Sequence, residues 1–145
     1  MQIEIQIDPS AREPCLIVRA AQITPELDAL IQQLSTPTTY LAGFHENQLH
    51  LLEPQNIVRI YAANGKVYAI TAAGEYTLRQ RLYELEAQLE RCRFVRISNS
   101  EILNLKFVQA FDLRMTGTIC ARLTDGSKAY VSRRYIPKLK QILGI

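Results

Sequence analysis

A mainly β protein with minor helices, preceded by a small β-β-α unit, is what the 145-residue sequence predicts, and three observations carry the prediction. From residue 57 onward, short runs rich in β-branched and aromatic residues recur. Asn64-Gly65 and Asp125-Gly126 lie between such runs, where tight hairpin turns need positive φ. Only two stretches of this half keep a helical period. With 48% hydrophobic residues the chain can build a core, and its length fits one ordinary domain with a small appended unit.

Taken in order, Ile3, Ile5 and Ile7 alternate with Gln2, Glu4 and Gln6, the period-two pattern of a half-buried strand, and a second apolar run, "CLIVRAA", follows Pro14. Thr24 then sits at a helix cap position with Pro25 at the first helical position, and Leu27, Leu30, Ile31 and Leu34 repeat at helical spacing. These three pieces make the β-β-α unit, assigned to residues 1–45, with "STPTTY" at residues 35–40 as the linker. Residues 46–145 make the second domain. "IVRIYAA" and "KVYAITA" flank Asn64-Gly65, "TICARLT" and "SKAYVS" flank Asp125-Gly126, and Gly43, Gly74 and Gly117 punctuate the remaining strands. One helix is expected from residue 77 to about 91, with a Thr77/Gln80 capping box and Leu78, Leu82, Leu85 and Leu89 on one stripe. A second is expected from about 133 to 143, capped by Ser132, with Ile136, Leu139, Ile142 and Leu143 as its apolar face.

Composition closes off several function classes. Cys15, Cys92 and Cys120 are odd in number and far apart, so neither a disulfide framework nor a zinc site is expected. "HENQLH" spaces His45 and His50 by five residues, not the four of a zinc-protease helix, and on one strand that gap would put them on opposite faces. There is no phosphate-binding glycine loop, nucleophile elbow or paired-carboxylate motif, so no enzyme, cofactor, metal site or small-molecule substrate is expected. No run nears the roughly 18 apolar residues of a membrane span, and the N-terminus lacks a signal-peptide pattern; a soluble, cytoplasmic protein is the expectation.

Charge is divided unevenly beneath the net +3. Residues 1–56 hold two basic and seven acidic side chains, net −5, whereas residues 57–145 hold fifteen and seven, net +8. A basic segment of this kind points to a polyanion, with a solvated basic face as the alternative. In "VSRRYIPKLKQIL", Arg133 and Arg134 fall in the first turn of the expected helix, where each cation costs about 0.3–1 kcal/mol against the helix dipole. A bound anion reverses that sign, and arginine is the commonest reader of guanine in the major groove; pairing with acidic surface neighbours is the other reading. In "RFVRISNSEILNLKF", Ser98, Asn99 and Ser100 have poor β-propensity, so the strand should break near Ser98 and present Asn99 from a loop. Asn can face adenine with donor and acceptor together and Ser can meet a phosphate, while a plain Asx turn explains the same residues without a ligand.

Those residues resemble a known family. Residues from about 48 to 144 are similar to the LytTR DNA-binding domain of bacterial transcriptional regulators, first in "FVRISNSEILNL", whose Phe94, Arg96, Asn99, Ser100 and Asn104 follow the F-x-R-x-H-x-S-x-x-x-N region. The helix around Leu82, Glu84 and Leu85 and the terminal "VSRRY…LK" block follow in the same order. The resemblance implies several small antiparallel sheets in an elongated domain, and loops rather than a recognition helix in successive major grooves of double-stranded DNA. The three loops fall on Asn64-Gly65-Lys66, Ser98-Asn99-Ser100 and Ser132-Arg133-Arg134. On this basis Asn99, Arg134 and Lys66 are the expected base contacts, and Arg96, Ser98, Ser100, Ser132, Arg133 and Asn64 the expected backbone contacts. Two departures stand out: Lys66-Val67 occupies the place of a base-reading histidine, and Ser98 that of the histidine before Asn-Ser. With only about 45 residues ahead of the domain, control by a phosphorylated receiver is not expected. The N-terminal unit is expected to dimerise the protein on DNA, to regulate it, or to bind a membrane-bound antagonist protein of the kind the resemblance implies. The competing function classes are a nonspecific nucleic-acid or RNA binder, which would need Tyr61, Tyr68, Tyr76 and Tyr130 as stacking platforms, and a protein-interaction module.

Overall fold

The computed structural model describes residues 2–35, 40–114 and 117–145, and the chain divides into two compact units, Met1–Pro37 and Thr38–Ile145.

In the first unit, helix α1 (Pro25–Ser35) forms where the sequence predicts it, with the Leu27 N–H donating to Thr24 Oγ1 at 3.2 Å. The two strands expected before it carry no ladder among the described residues. Ile3, Ile5 and Ile7 are exposed, as are Leu16, Ile17, Val18 and Ile23. The period-two pattern is present, but a strand stays only where a second edge takes its hydrogen bonds and a core takes its apolar face. No residue described in this unit is fully buried. Residues 36–39 of the expected linker lie outside the described residues.

The second unit is mainly β. Its larger sheet holds strands β1 (Leu41–His45), β2 (Gln48–Leu52), β3 (Ile57–Ala63), β4 (Lys66–Thr71), β5 (Gly74–Leu78), β6 (Phe94–Ser98) and β7 (Glu101–Asn104) in the order β2-β1-β5-β4-β3-β7-β6. A smaller sheet holds β8 (Val108–Asp112), β9 (Ile119–Leu123) and β10 (Lys128–Val131) in the order β10-β9-β8, and every pairing is antiparallel. The boundary drawn at residue 45 therefore falls inside a hairpin: β1 pairs with β2 over five residues, and Phe44 pairs with Thr77 of β5. Gly43 in β1 has to be glycine, because a Cβ there would lie 2.6 Å from Leu52 Cδ1 and 2.9 Å from Tyr76 Cβ. The same hairpin corrects the reading of the histidines. Glu46 and Asn47 (φ 49° and 64°) form a turn between them, so His45 and His50 stand on different strands and both rings lie near Tyr76.

Asn64-Gly65 turns β3 into β4 with φ of 53° and 75°, as its sequence requires. At Asp125-Gly126 only Gly126 takes positive φ. Asp125 instead accepts from the Ser127 N–H at 2.8 Å and hydroxyl at 2.6 Å, an Asx-type turn within the loop that joins the two strands. The first helix of this unit, α2 (Leu82–Gln88), starts five residues later than expected, since Thr77 and Leu78 are claimed by pairing with Tyr68 and Val67. Its N-terminal carboxylate is Glu84, which accepts from the Arg81 N–H at 3.3 Å. The last helix is delayed as well. Arg133–Tyr135 is a single 3-10 turn, and α3 (Ile136–Leu143) begins beyond it, where Pro137 can occupy the first turn without losing a hydrogen bond.

Two apolar clusters hold the unit together. One packs α2, through Leu82 and Leu85, and the following Leu89 against Leu41, Ile57, Ile60 and Ile102. The other packs the smaller sheet and Leu139 of α3 against Val95, Ile97 and Leu103. Strand β6 thus serves both: Phe94 enters the first cluster and Val95 and Ile97 the second. At about 1.5–3 kcal/mol for each large side chain removed from water, this double burial fixes the strand that carries the Ser-Asn-Ser loop.

Candidate nucleic-acid interface

The three loops singled out in the sequence come from stretches up to 70 residues apart, and the sheet gathers them at one end. Strand β3 runs antiparallel to β7, with Tyr61 opposite Glu101, so the β3–β4 tip and the β6–β7 tip are neighbours. The Ala62 N–H donates to Ser100 O at 2.8 Å, tying one to the other. A bulge between Arg96 and Ser98 leaves Ile97 as an extra residue on β6, and Ile97 O accepts the Ser132 N–H at 2.8 Å, joining the start of the 3-10 turn to the same edge.

Within the β6–β7 turn, Arg96 acts as an internal strap. Its Nε donates to Ser98 O at 2.7 Å, Nη2 to Asn99 O at 2.7 Å, and Nη1 to Glu86 Oε2 at 3.0 Å. The side chain is only 12% exposed. An expected contact to the DNA backbone from Arg96 thus meets a guanidinium already committed to the protein. The three acceptors are served by three different nitrogens of a rigid planar fork, a spread that suits arginine better than the single ammonium nitrogen of lysine. Ser98 is likewise turned inward: its Oγ accepts the Ser100 N–H at 3.2 Å and lies 3.4 Å from Ser100 Oγ. Asn99 is exposed at the tip, and its Oδ1 accepts a hydrogen bond from Tyr135 Oη at 2.9 Å.

The remaining expected contacts divide into anchored and free groups. Arg133 is exposed but donates from Nε to Gly117 O at 3.2 Å, and it lies so close over Gly117 (φ 79°) that a Cβ there would meet Nη2 at 2.4 Å. Ser132 makes no side-chain cap, contrary to its expected role, because the turn behind it closes through the Tyr135 N–H donating to Ser132 O. Asn64 and Lys66 are exposed at the hairpin tip, and Arg134 is exposed with its guanidinium 5.8 Å from the Tyr135 ring centre. Neither Lys66 nor Arg134 has a carboxylate partner among the described residues, whereas Lys138 is paired with Glu86 at 3.2 Å.

The tyrosines take the packing role. Tyr61 and Tyr68 are cross-strand partners whose rings stack at 5.2 Å. The Tyr61 hydroxyl donates to Glu75, which raises its pKa above the usual value and keeps it protonated. Tyr135 and Glu86 are the participants that sequence reasoning passed over. Tyr135 stands inside the quoted "VSRRY" block, but nothing local indicates that it meets a residue 36 positions earlier.

Comparison with known proteins places this geometry. The family model described as "LytTr DNA-binding domain" matches residues 47–144. The chain belongs to the LytTr DNA-binding domain family. A solved LytTr DNA-binding domain of a response regulator from Bacillus cereus has the same fold, with a TM-score of 0.71 over 75% of this chain and 100% of that one, at 19% identity. Along its whole length the chain is similar to uncharacterized HTH-type transcriptional regulators of Staphylococcus aureus, strains NCTC 8325 / PS 47 and COL among them. Identity is 29% over 147 residues, covering 100% of this chain and 99% of theirs. Among the described residues of this LytTr protein, no helix is long and apolar enough to cross a membrane, and no group of three His, Cys, Asp or Glu side chains could hold a metal ion.

Proposed function

We propose that this protein is a transcriptional regulator that binds double-stranded DNA sequence-specifically, presenting its three gathered loops to successive major grooves. The observation that carries this reading is the convergence at one end of the sheet of two cations without carboxylate partners, Lys66 and Arg134, with the exposed amide of Asn99. Asn99 and Arg134 supply base contacts, while Lys66, Arg133, Asn64, Ser100 and Ser132 meet phosphates or stand close to them. Arg96 and Ser98 serve by holding the loop in shape. Recovery of bound sites from a random duplex pool by the full chain tests the reading. A defined motif is expected, with Asn99→Ala flattening one of its positions by about 1–3 kcal/mol; equal binding of all duplexes at physiological salt would refute it. Mutual stacking of Tyr61 with Tyr68 favours duplex over single-stranded targets, since those faces are already covered.

The N-terminal unit is proposed to pair with a second copy of the chain, giving a homodimer on paired half-sites. Support comes from Ile3, Ile5 and Ile7, exposed at 79–84% on a period-two pattern that has strand chemistry and no ladder. Replacing the three isoleucines with serine should convert the dimer to monomer by light scattering. A monomeric wild type would instead leave this surface to a different protein.

A further inference from the structure

Resting on the reading of Asn99 as a base contact, we infer that Tyr135 sets its specificity: by holding the amide through its oxygen, Tyr135 makes Asn99 a hydrogen-bond donor that reads a base carbonyl, not an adenine edge. An asparagine that recognises adenine does so with both ends, accepting from N6 through Oδ1 and donating to N7 through Nδ2. Here Oδ1 receives the Tyr135 hydroxyl at 2.9 Å, while Nδ2 donates to nothing among the described residues. The orientation of the amide has a physical cause. Two guanidiniums stand near the Tyr135 ring, Arg96 at 5.9 Å and Arg134 at 5.8 Å from its centre. Positive charge near the ring favours the hydroxyl as donor and the amide oxygen as acceptor. The backbone of Asn99 is fixed too, its carbonyl accepting from Arg96 Nη2, so the side chain cannot swing away without breaking the Tyr135 bond.

With one lone pair of its oxygen engaged by Tyr135, Asn99 has its two N–H groups as the wholly unengaged end of the amide. In the major groove these match guanine O6 with N7, or thymine O4. Adenine offers only N7 beside its own amino donor, and cytosine only an amino donor, so neither presents a carbonyl to these N–H groups. Tyr135 acts through Asn99 and touches no base, so it is a positioning residue.

Base analogues separate this inference from the reading beneath it. The full chain is titrated with the duplex recovered from the random pool, substituted at the pair whose preference depends on Asn99. One substitution removes the carbonyl oxygen, with 2-aminopurine for guanine or 5-methyl-2-pyrimidinone for thymine. The other removes the amino group, with purine for adenine or 2-pyrimidinone for cytosine. Loss of the carbonyl is expected to weaken wild type about tenfold and Asn99→Ala hardly at all, with loss of the amino group neutral for both. Tyr135→Phe keeps the ring and its packing. It should bind unselected duplex with the wild-type salt slope, yet lose most of the tenfold carbonyl preference. If the amino group is the one whose removal costs wild type, or if Tyr135→Phe keeps the full preference, the inference is overturned while base reading by Asn99 stands. If Asn99→Ala follows wild type on every analogue, both fall together.

Discussion

The two hairpin tips at the end of the large sheet solve the same steric problem in different ways. At the β3–β4 tip the turn is made by the backbone alone: Asn64 and Gly65 take positive φ, and the side chains of Asn64 and Lys66 are left exposed. At the β6–β7 tip neither Asn99 nor Ser100 takes positive φ. A bulge absorbs the twist, and side chains do the holding: Arg96 grips two carbonyls, Ser98 caps an amide and Tyr135 holds the Asn99 side chain. The difference follows the information each tip can carry. A cation near a phosphate needs only proximity, whereas an amide that distinguishes base edges must arrive with its orientation already set.

Removing the strap from the braced tip is the most severe way to break this contrast. Arg96→Ala strips donors from two loop carbonyls and leaves Glu86 with only Lys138, so a loss of about 2–4 kcal/mol in stability is expected from urea unfolding. Binding to the selected duplex should fall far more than binding to unselected DNA, because the loop is deformed while the exposed cations remain. Arg96→Lys should rescue little, a lysine being unable to span the three acceptors. Equal losses on both duplexes would mean that Arg96 contributes charge and not shape.

How much of this was legible beforehand depends on whether the cause was local. The Asn64-Gly65 turn, the α1 cap at Thr24 and the break in "FVRISNSEIL" are encoded by neighbours a few residues apart, and the structure keeps all three. Helix α2 begins later than the local pattern predicts because Thr77 looks like a cap within its own window but is taken by a strand partner at Tyr68. The N-terminal period-two pattern makes strands only where a partner edge exists, and none pairs with it among the described residues. At the site, the exposed residue types were readable, but the inward turn of Arg96 and the bond from Tyr135 depend on groups 10 and 36 positions away, which no spacing rule reaches.

The unbraced tip gives a smaller and differently shaped effect. Lys66→Ala is expected to weaken selected and unselected duplexes alike by a few fold and to lower the slope of log affinity against log salt by about one. Stability should stay within about 0.5 kcal/mol, since the exposed lysine has no carboxylate partner to lose among the described residues. A change of sequence preference in this variant would move Lys66 from phosphate contact to base reading and weaken the contrast between the tips.

Another hairpin turn, at Asp125-Gly126 in the smaller sheet, separates bracing from reading, for it is braced by side chains but is not one of the gathered loops. The Ser127 hydroxyl and N–H donating to its carboxylate hold the Asp125 pKa below the usual value. A carboxylate with a depressed folded pKa stabilises the fold above its unfolded value of about 3.9, and that contribution is lost as pH falls through the folded value. Asp125→Asn keeps an acceptor but cannot titrate. The wild type should therefore exceed the variant in urea midpoint at pH 6, with the gap narrowing as pH falls below the unfolded value and through the lowered folded one. A gap that keeps its size as pH falls would show that the turn is held by shape and not by the charged carboxylate. At neutral pH the selected duplex should bind the variant as it binds wild type, since a braced turn that is not one of the three gathered loops stabilises the sheet without contributing to recognition.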